Sequence, residues 1–367
     1  MSNRTNLINY FILLGGTLAS VLAVGIISSS VPVLIGASSF MKIVFGMIVT
    51  VFVNTFAHEI AHMISARFNG FKVVSFKIMF FKFGKVNGKF RISLCPWGEQ
   101  LGETELLPKK LENIEKRYKK VAMAGIVANF ILFCVSFVFF FYWKKWYWVE
   151  NKEYLFHLTA FTMPIALYFV LANVLPMSSD FDRNDGAVLW GIHKDDPSVK
   201  VMFSLMKVHA MLYQGFSPAE IPEEYYFAVP QLPEDDPNFI ILLNNRLYYY
   251  LDKGDYDNAI KIVERLTSLE DYLTRAMEGQ VFADALYAYS TYAFNAEKAD
   301  NTMEDYDAYL NKVTTSLNMR AKLAYLKNVV QDEDAFNEMY PLCENLANNE
   351  DIKGLKKLEL KLLEQLK

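Results

Sequence analysis

Four long stretches without a formal charge constrain this chain more than any other feature of its sequence. The first covers residues 5–41, and the others cover 43–57, 121–143 and 154–179. A helix needs about 20 mostly apolar residues to cross the hydrocarbon core of a bilayer. We therefore predict an α-helical polytopic membrane protein with about four transmembrane helices.

The four spans are predicted at about 8–34, 39–66, 121–143 and 154–178, and together they define a membrane domain over residues 1–190. The apolar core of a cleaved signal peptide is only about 7–15 residues long. Because the first apolar stretch is much longer, we expect this span to be retained.

Basic and acidic residues are separated along the chain. Residues 1–190 contain 19 Lys and Arg against 11 Asp and Glu, whereas residues 191–367 contain 18 against 30. The acidic half argues against nucleic-acid binding, which needs a positive surface. The three cysteines are too few and too dispersed for a disulfide framework or a cysteine-based zinc site.

The loop between the second and third predicted spans is strongly basic. Residues 67–120 contain 13 basic and 5 acidic side chains. Basic loops stay on the cytoplasmic side of a membrane. Four spans then place both termini in the cytoplasm, and we expect a multi-pass protein of the plasma membrane.

Within this loop, residues 71–94 alternate aromatic and β-branched residues with Lys and Arg, and Asn87-Gly88 separates two such runs. This arrangement is a strong signal of a β-hairpin. We predict a membrane-associated β-hairpin whose edge can pair with an unfolded strand of another polypeptide. The alternative is a solvated hairpin whose lysines bind anionic lipid.

The second span contains the sequence His58-Glu59-Ile60-Ala61-His62. On a helix, His58 and His62 present two imidazole nitrogens to one metal ion from one face, and Glu59 can reach a water on that metal. Ionisable groups inside a span are costly and generally functional. A catalytic zinc site usually takes three protein ligands, so another segment must supply the third.

Two further segments accompany this motif in membrane order. Residues 124–130 read AGIVANF, and the fourth span ends in Asn173-Val174-Leu175-Pro176, followed later by Asp185-Gly186. The set resembles the site-2-protease-type intramembrane zinc metalloproteases, whose pattern is HExxH, a Gly-Pro-x-x-Asn-type stretch, and Asn-x-x-Pro followed by Asp-Gly. The resemblance covers roughly residues 40–190. It departs from the pattern at Ile126, where many members have Pro, and in the long gap between Pro176 and Asp185.

The resemblance implies a Zn2+ ion with three protein ligands, His58, His62 and Asp185. It also implies that Glu59 is the general base and that Asn173 hydrogen-bonds the substrate backbone or the developing oxyanion. Asp182 and Asp180 remain alternative third ligands. The implied substrate is a single-span membrane protein, a signal-peptide remnant or a pheromone precursor, hydrolysed within or just below the bilayer.

The acidic tail becomes helical in pattern after a Pro-rich stretch, and we interpret residues 191–237 as a linker or cap. Residues 238–268 predict two amphipathic helices that meet at Lys253-Gly254-Asp255. This pair resembles a tetratricopeptide-type helical hairpin. We predict an all-α soluble domain of helical hairpins over residues 238–367, with a concave face suited to a cytosolic peptide.

Two classes of function fit these features. The first is an active intramembrane endopeptidase, which the intact set of His58, Glu59, His62 and Asp185 favours. The second is a non-catalytic membrane receptor or immunity-type scaffold that binds a partner through the tail. A transporter is disfavoured, because four spans with one cytoplasmic-side cluster provide neither a midplane pathway nor repeat symmetry.

The topology is directly testable. Reporter fusions at Lys367 should be cytoplasmic and fusions near Trp146 should be outside, because the basic excess of residues 67–120 fixes that loop inside. A reporter at Lys367 found outside would place His58 and Asp185 at opposite faces of the membrane and would contradict the predicted site.

Overall fold

The computed structural model describes residues 3–28, 37–86, 89–95, 101–145, 153–178, 183–273, 275–293, 296–310 and 315–367. The chain forms two compact units. One comprises residues 1–85 and 90–199, and the other comprises 86–89 and 200–367.

The first unit combines long apolar helices with a small sheet. Its helices are α1 (Asn3–Ser28), α2 (Ala37–Phe68), α3 (Ile114–Lys145), α4 (Glu153–Val174) and α5 (Asp185–Lys194). Its strands are β1 (Phe71–Ile78), β2 (Phe81–Val86), β3 (Lys89–Leu94) and β4 (Gly102–Pro108).

Helices α1 to α4 are each long and apolar enough to cross a membrane, so the described residues contain four helices of the kind predicted for the spans. Their apolar segments are Asn6–Ser28, Phe40–Phe68, Ile114–Lys145 and Leu155–Val174. Large apolar side chains on their outer faces, among them Phe11, Phe45 and Val138, are exposed. Such a surface suits lipid and not water.

The end of the fourth span differs from the prediction. The first span was expected to reach residue 34, and its last residues fall within 29–36, which lie outside the described part of the chain. The fourth was expected to reach residue 178, but α4 ends at Val174. Pro176 explains this early end, because proline has no backbone N–H and disfavours helical geometry at the preceding residue.

The helix packing brings three helix ends together. Helix α1 runs antiparallel to α4, since Val24 packs near Phe156 while Asn9 Nδ2 donates to the Pro176 carbonyl over 2.6 Å. The C-terminal half of α2 meets the start of α3, where His62 contacts the Val121 carbonyl. The C-terminal parts of α2 and α4 and the N-terminal part of α3 line the same cavity, to which they contribute His62, Asn173 and Val121.

The sheet is larger than the hairpin predicted for residues 71–94. It has four strands in the order β3-β2-β1-β4, and both partners of β1 run antiparallel to it. The predicted strand pairing on either side of Asn87-Gly88 is confirmed, because β2 and β3 are neighbours in the sheet. The extent of the hairpin differs, because the chain also turns at Met79 and Phe80, so residues 71–94 contain three strands and not two. Met79 adopts a φ of 51°, a left-handed conformation that the sequence does not signal with Gly or Asn. Asn87 and Gly88 lie outside the described residues.

The regular secondary structure of the described part of residues 197–367 is helical. The α-helices are α6 (Pro197–Gln214), α7 (Glu224–Phe227), α8 (Pro237–Lys253), α9 (Tyr256–Thr267), α10 (Arg275–Ala288), α11 (Ala296–Leu310), α12 (Ser316–Tyr325), α13 (Glu333–Asn348) and α14 (Lys353–Glu364). Short 3-10 segments lie at Pro218–Glu220 and Glu270–Tyr272, and π-helical turns at Tyr289–Ala293 and Leu326–Val330.

The predicted helix pair of residues 238–268 is confirmed as α8 and α9. Gly254 ends α8 with a φ of 75°, a conformation that costs glycine little, and the Asp255 carboxylate caps α9 by accepting from the Asn258 N–H. The segment 191–237, expected to be a linker or cap, instead contains the 18-residue helix α6. Pro197 is the first residue of α6, and proline is common at the first position of a helix. The interpretation of this segment as a linker or cap did not use that signal.

A buried ionic cluster joins three helices of the second unit. The fully buried Arg320 of α12 donates to Glu359 of α14 at 3.0 Å and to Asp284 of α10 at 3.2 Å. Its guanidinium also lies 4.1 Å from the centroid of the Tyr287 ring. Burying charge is costly unless every charge is paired, so this cluster fixes how the three helices meet.

This cluster predicts a pH dependence of stability. Burial raises the pKa of Asp284 to about 6, despite the opposing effect of Arg320. A raised carboxyl pKa means that the folded state favours the protonated form. The stability that this group contributes is therefore fully present below about pH 4 and is lost as the pH rises through about 6.

Hydrogen exchange of the α10 and α12 amides in the full-length protein, corrected for intrinsic exchange, measures this effect. Protection in wild type should fall between pH 4 and 6.5, and Asp284→Asn should flatten that slope. Asp257→Asn on the exposed surface of α9 is the matched control and should keep the wild-type slope. Equal slopes in all three proteins would show that Asp284 does not titrate in this range.

Candidate metal centre

Three side-chain atoms suited to metal binding converge at the C-terminal half of α2. The Nε2 atoms of His58 and His62 lie 2.9 Å apart, and each lies 3.1 Å from Asp185 Oδ2. The two histidines are four residues apart on one helix face, as the motif predicts. Within the described residues, these three side chains form a group able to hold a metal ion.

A backbone carbonyl sets the tautomer of His62. Its Nδ1 lies 2.9 Å from the oxygen of Val121 at the start of α3, and a carbonyl oxygen can only accept a hydrogen bond. Nδ1 therefore carries a proton, and in the neutral ring the lone pair is on Nε2, the nitrogen that lies beside Asp185. A hydrogen bond of this kind is the usual support of a metal-binding histidine.

The chemistry of this set fits a cation. With the proton of neutral His62 on Nδ1, its Nε2 and the Asp185 carboxylate both offer lone pairs, and two imidazole nitrogens with one carboxylate oxygen are a ligand set that zinc takes. A tetrahedral zinc ion with bonds of about 2.0–2.1 Å separates its ligand atoms by roughly 3.3 Å. The observed separations of 2.9–3.1 Å need to open only slightly to match that geometry.

Gly125 of α3 makes room for the two imidazoles. A Cβ atom placed there would lie 2.5 Å from His62 Nε2 and 2.6 Å from His58 Cε1. No side chain fits at that separation. The glycine of the segment 124–130 thus has a steric reason to be present, namely the close approach of α3 to the histidine pair.

Asp185 is the first residue of helix α5, and the following Gly186 packs against the end of α4. A Cβ atom at Gly186 would lie 2.4 Å from the carbonyl oxygen of Val174. Gly186 lies in the first turn of α5, and the close approach of α5 to α4 leaves no room for a side chain there.

The alternative third ligands, Asp180 and Asp182, lie outside the described residues. The structure therefore compares neither of them with Asp185. Among the described carboxylates, Asp185 is the one grouped with the histidine pair.

Glu59 faces the same region and is held by the sheet. Its Oε2 accepts a hydrogen bond of 2.5 Å from the Thr104 hydroxyl on β4. Glu59 is buried, so the hydrogen bond offsets part of the cost of burying a carboxylate. Strand β4 thus contributes to the site although it lies beyond the predicted hairpin.

Asn173 lies at the end of α4, and its Nδ2 donates to the Phe169 carbonyl at 2.9 Å. The buried Asn129 of α3 reaches the same carbonyl at 3.4 Å. The two asparagines of the family-like segments therefore converge on one backbone group of α4.

The three candidate ligands and Glu59 line one cavity of about 410 Å³. The size lies within the range of about 300–1,000 Å³ that is typical of ligand sites. The other polar side chains of its lining are Thr55, Glu103, Thr104, Tyr118, Tyr168, Asn173, Arg183 and Asn184. The structure thus brings together all five residues singled out from the sequence.

Among the side chains of this cavity that sequence reasoning missed are Thr104 and Asn184. Thr104 belongs to a short strand whose sequence, GETELLP, has no clear alternation, so nothing placed it beside Glu59. Asn184 did carry a readable signal, because asparagine directly before a helix is a favoured N-cap.

Four apolar helices and a His-His-Asp group define a membrane protein with a candidate metal centre. The chain matches the model of peptidase family M50 over residues 46–340 and therefore belongs to this family, that of the site-2 proteases. Comparisons with curated proteins and with solved structures gave no match. The match extends well beyond residue 190, where the motif resemblance ended. The family consists of membrane proteases that are zinc-dependent in general.

Gly125→Ala tests the steric argument. Alanine favours a helix more than glycine does, so α3 should not suffer, yet its Cβ displaces the imidazoles. We expect zinc affinity, measured by chelator competition, to fall at least tenfold. Gly15→Ala on α1 is the control, since a Cβ there meets nothing within 4 Å. Unchanged affinity in Gly125→Ala would refute the close packing.

Proposed function

We propose that this protein is a zinc-dependent intramembrane endopeptidase that cleaves a membrane-spanning or signal-peptide-like segment near the cytoplasmic face. The observation that carries the proposal is the convergence of His58, His62 and Asp185 beside Glu59 in one cavity. A non-catalytic scaffold has no need of a carboxylate base next to three potential ligands.

His58 and His62 provide Nε2 ligands, and Asp185 provides Oδ2. Zinc bound there would acidify a coordinated water and polarise the carbonyl of the scissile bond. The remaining chemistry falls to the side chains around it.

Glu59 acts as the general base. The Thr104 hydroxyl occupies Oε2, so Oε1 is the oxygen available to take the proton of the attacking water and later to return one to the leaving amine. The hydrogen bond from Thr104 to Oε2 limits rotation of the Glu59 carboxylate. Oε1 is thereby kept in a fixed orientation for proton transfer.

A helical substrate must unwind before it can be cleaved, because its amide groups are bonded within the helix. The unwound backbone then needs new hydrogen-bond partners. Strand β4 lies at an edge of the described sheet, and its residues 102–104 line the cavity. This edge, more than the hairpin of residues 71–94, is placed to pair with an extended substrate. Asn173 stands at the same cavity and is suited to bond the substrate carbonyl or oxyanion.

Single-span membrane proteins, signal-peptide remnants and pheromone precursors all supply such a segment. We propose a multi-pass location in the plasma membrane with both termini in the cytoplasm. Residues 1–190 would form the protease domain, and the acidic helical region of residues 238–367 would be a soluble domain that recruits a cytosolic peptide.

The proposal is tested with Glu59→Gln. Glutamine keeps the shape of glutamate and its contact with Thr104, but it cannot accept the proton. We expect cleavage of a membrane-span substrate to fall by about 10²–10⁴-fold, with zinc retained at one per chain. Comparative proteomics of membrane peptides in cells carrying wild type or Glu59→Gln would identify the natural substrate.

Asp185→Asn provides the complementary arm, because it should lose zinc as well as activity. A loss of only a few-fold in Glu59→Gln would exclude the general-base role. Full zinc content in Asp185→Asn would move the third ligand to Asp180 or Asp182.

A further inference from the structure

Asn184 precedes the aspartate of the candidate centre and is bonded to the end of α4. Its Nδ2 donates to the Ala172 carbonyl at 2.5 Å and to the Leu175 carbonyl at 2.7 Å. The last carbonyls of a helix have no partner within the helix. The Asn184 side chain satisfies one such carbonyl, that of Ala172, and the carbonyl of Leu175 directly after the helix.

The oxygen of the same Asn184 side-chain amide accepts hydrogen bonds from two backbone N–H groups. Asn184 Oδ1 accepts from Ala187 at 2.8 Å, which caps the N-terminus of α5, and from Met177 at 3.1 Å. The backbone N–H of Asn184 also donates to the Met177 carbonyl over 3.2 Å. All the hydrogen-bonding capacity of this side chain is used to join α4, the following segment and α5.

Helix α1 secures the same segment from the other side. Asn6 Nδ2 donates to the Ser178 carbonyl at 3.0 Å, and Asn6 Oδ1 accepts from the Ser178 N–H at 3.2 Å. Asn9 donates to the Pro176 carbonyl. The backbone on which Asn184 acts is therefore itself fixed at residues 176–178.

We propose that Asn184 is the positioning residue of the Asp185 ligand. By tying the first turn of α5 to the last turn of α4, it sets where the Asp185 carboxylate stands relative to the histidines of α2. This inference rests on the proposed metal centre, and it assigns a role in metal affinity to a residue that is not one of the three candidate ligands.

The physical reason lies in the geometry of the ligand. Asp185 Oδ2 is 3.1 Å from both imidazole nitrogens, and the side chain has only two rotatable bonds with which to correct a displaced backbone. Groups that orient a metal ligand typically change metal affinity by 10–100-fold when removed. A ligand that is not held in position binds the metal more weakly and with a less regular coordination geometry.

Asn184→Ser and Asn184→Ala separate positioning from simple helix capping. Serine is a good N-cap, so it should accept from Ala187 and keep α5 folded, but it is too short to reach the α4 carbonyls. If Asn184 acts through its link to α4, both variants lose metal affinity. If it acts only as a cap, serine restores wild-type behaviour.

The full-length protein in detergent is loaded with zinc for chelator competition, and with cobalt(II), whose visible absorption reports coordination geometry. Thermal unfolding of the metal-free protein measures stability separately. Asn69→Ala is the matched control, because Asn69 also donates to a carbonyl at a helix end, that of Ser65, outside the cavity.

We expect Asn184→Ser to bind zinc 10–100-fold more weakly than wild type and to alter the cobalt spectrum, with metal-free unfolding close to wild type. Asn69→Ala should leave affinity and spectrum unchanged. Wild-type affinity and spectrum in Asn184→Ser would overturn the inference. Absence of stoichiometric zinc in wild type would instead overturn the proposed function, so the two failures are distinguishable.

Discussion

Two imidazole nitrogens and one carboxylate oxygen stand within 3.1 Å of one another in the buried part of the first unit. Each offers a lone pair, and the Val121 carbonyl holds the proton of His62 on the far side of its ring. Polar groups of this kind are costly in a membrane protein unless they bind something. The arrangement of the surrounding helices depends on this convergence: α3 approaches through Gly125, and α5 approaches α4 through Gly186.

The first unit supports the centre with polar contacts from the sheet and from helix ends. Thr104 holds Glu59 from the sheet, and Asn184 joins α4 to α5. Away from these ends the four long helices present apolar side chains to the outside. A membrane protein that hydrolyses peptide bonds needs this separation, since water and charge must reach the cavity without crossing lipid.

The four long helices, the histidine pair and the α8–α9 boundary could be predicted from the sequence, because their signals are local. The lengths of the apolar runs predicted four spans, the i, i+4 spacing predicted the shared face of His58 and His62, and Gly254 with Asp255 predicted the boundary between α8 and α9. The motif resemblance supplied Asp185, whose position depends on how α5 folds against α4. Long-range contacts had no such signal. The pairing of β4 with β1 and the contact of Thr104 with Glu59 join residues far apart in sequence, and the turn at Met79 lacks the usual turn residues.

X-ray absorption at the zinc edge of the purified wild-type protein tests the central claim most directly, because it reads the ligand atoms of the metal itself. The account predicts one zinc per chain, only nitrogen and oxygen in the first shell at about 2.0–2.1 Å, and the outer-shell scattering of two imidazoles. A sulfur ligand at about 2.3 Å, or scattering from fewer than two imidazoles, would contradict a centre built from His58, His62 and Asp185.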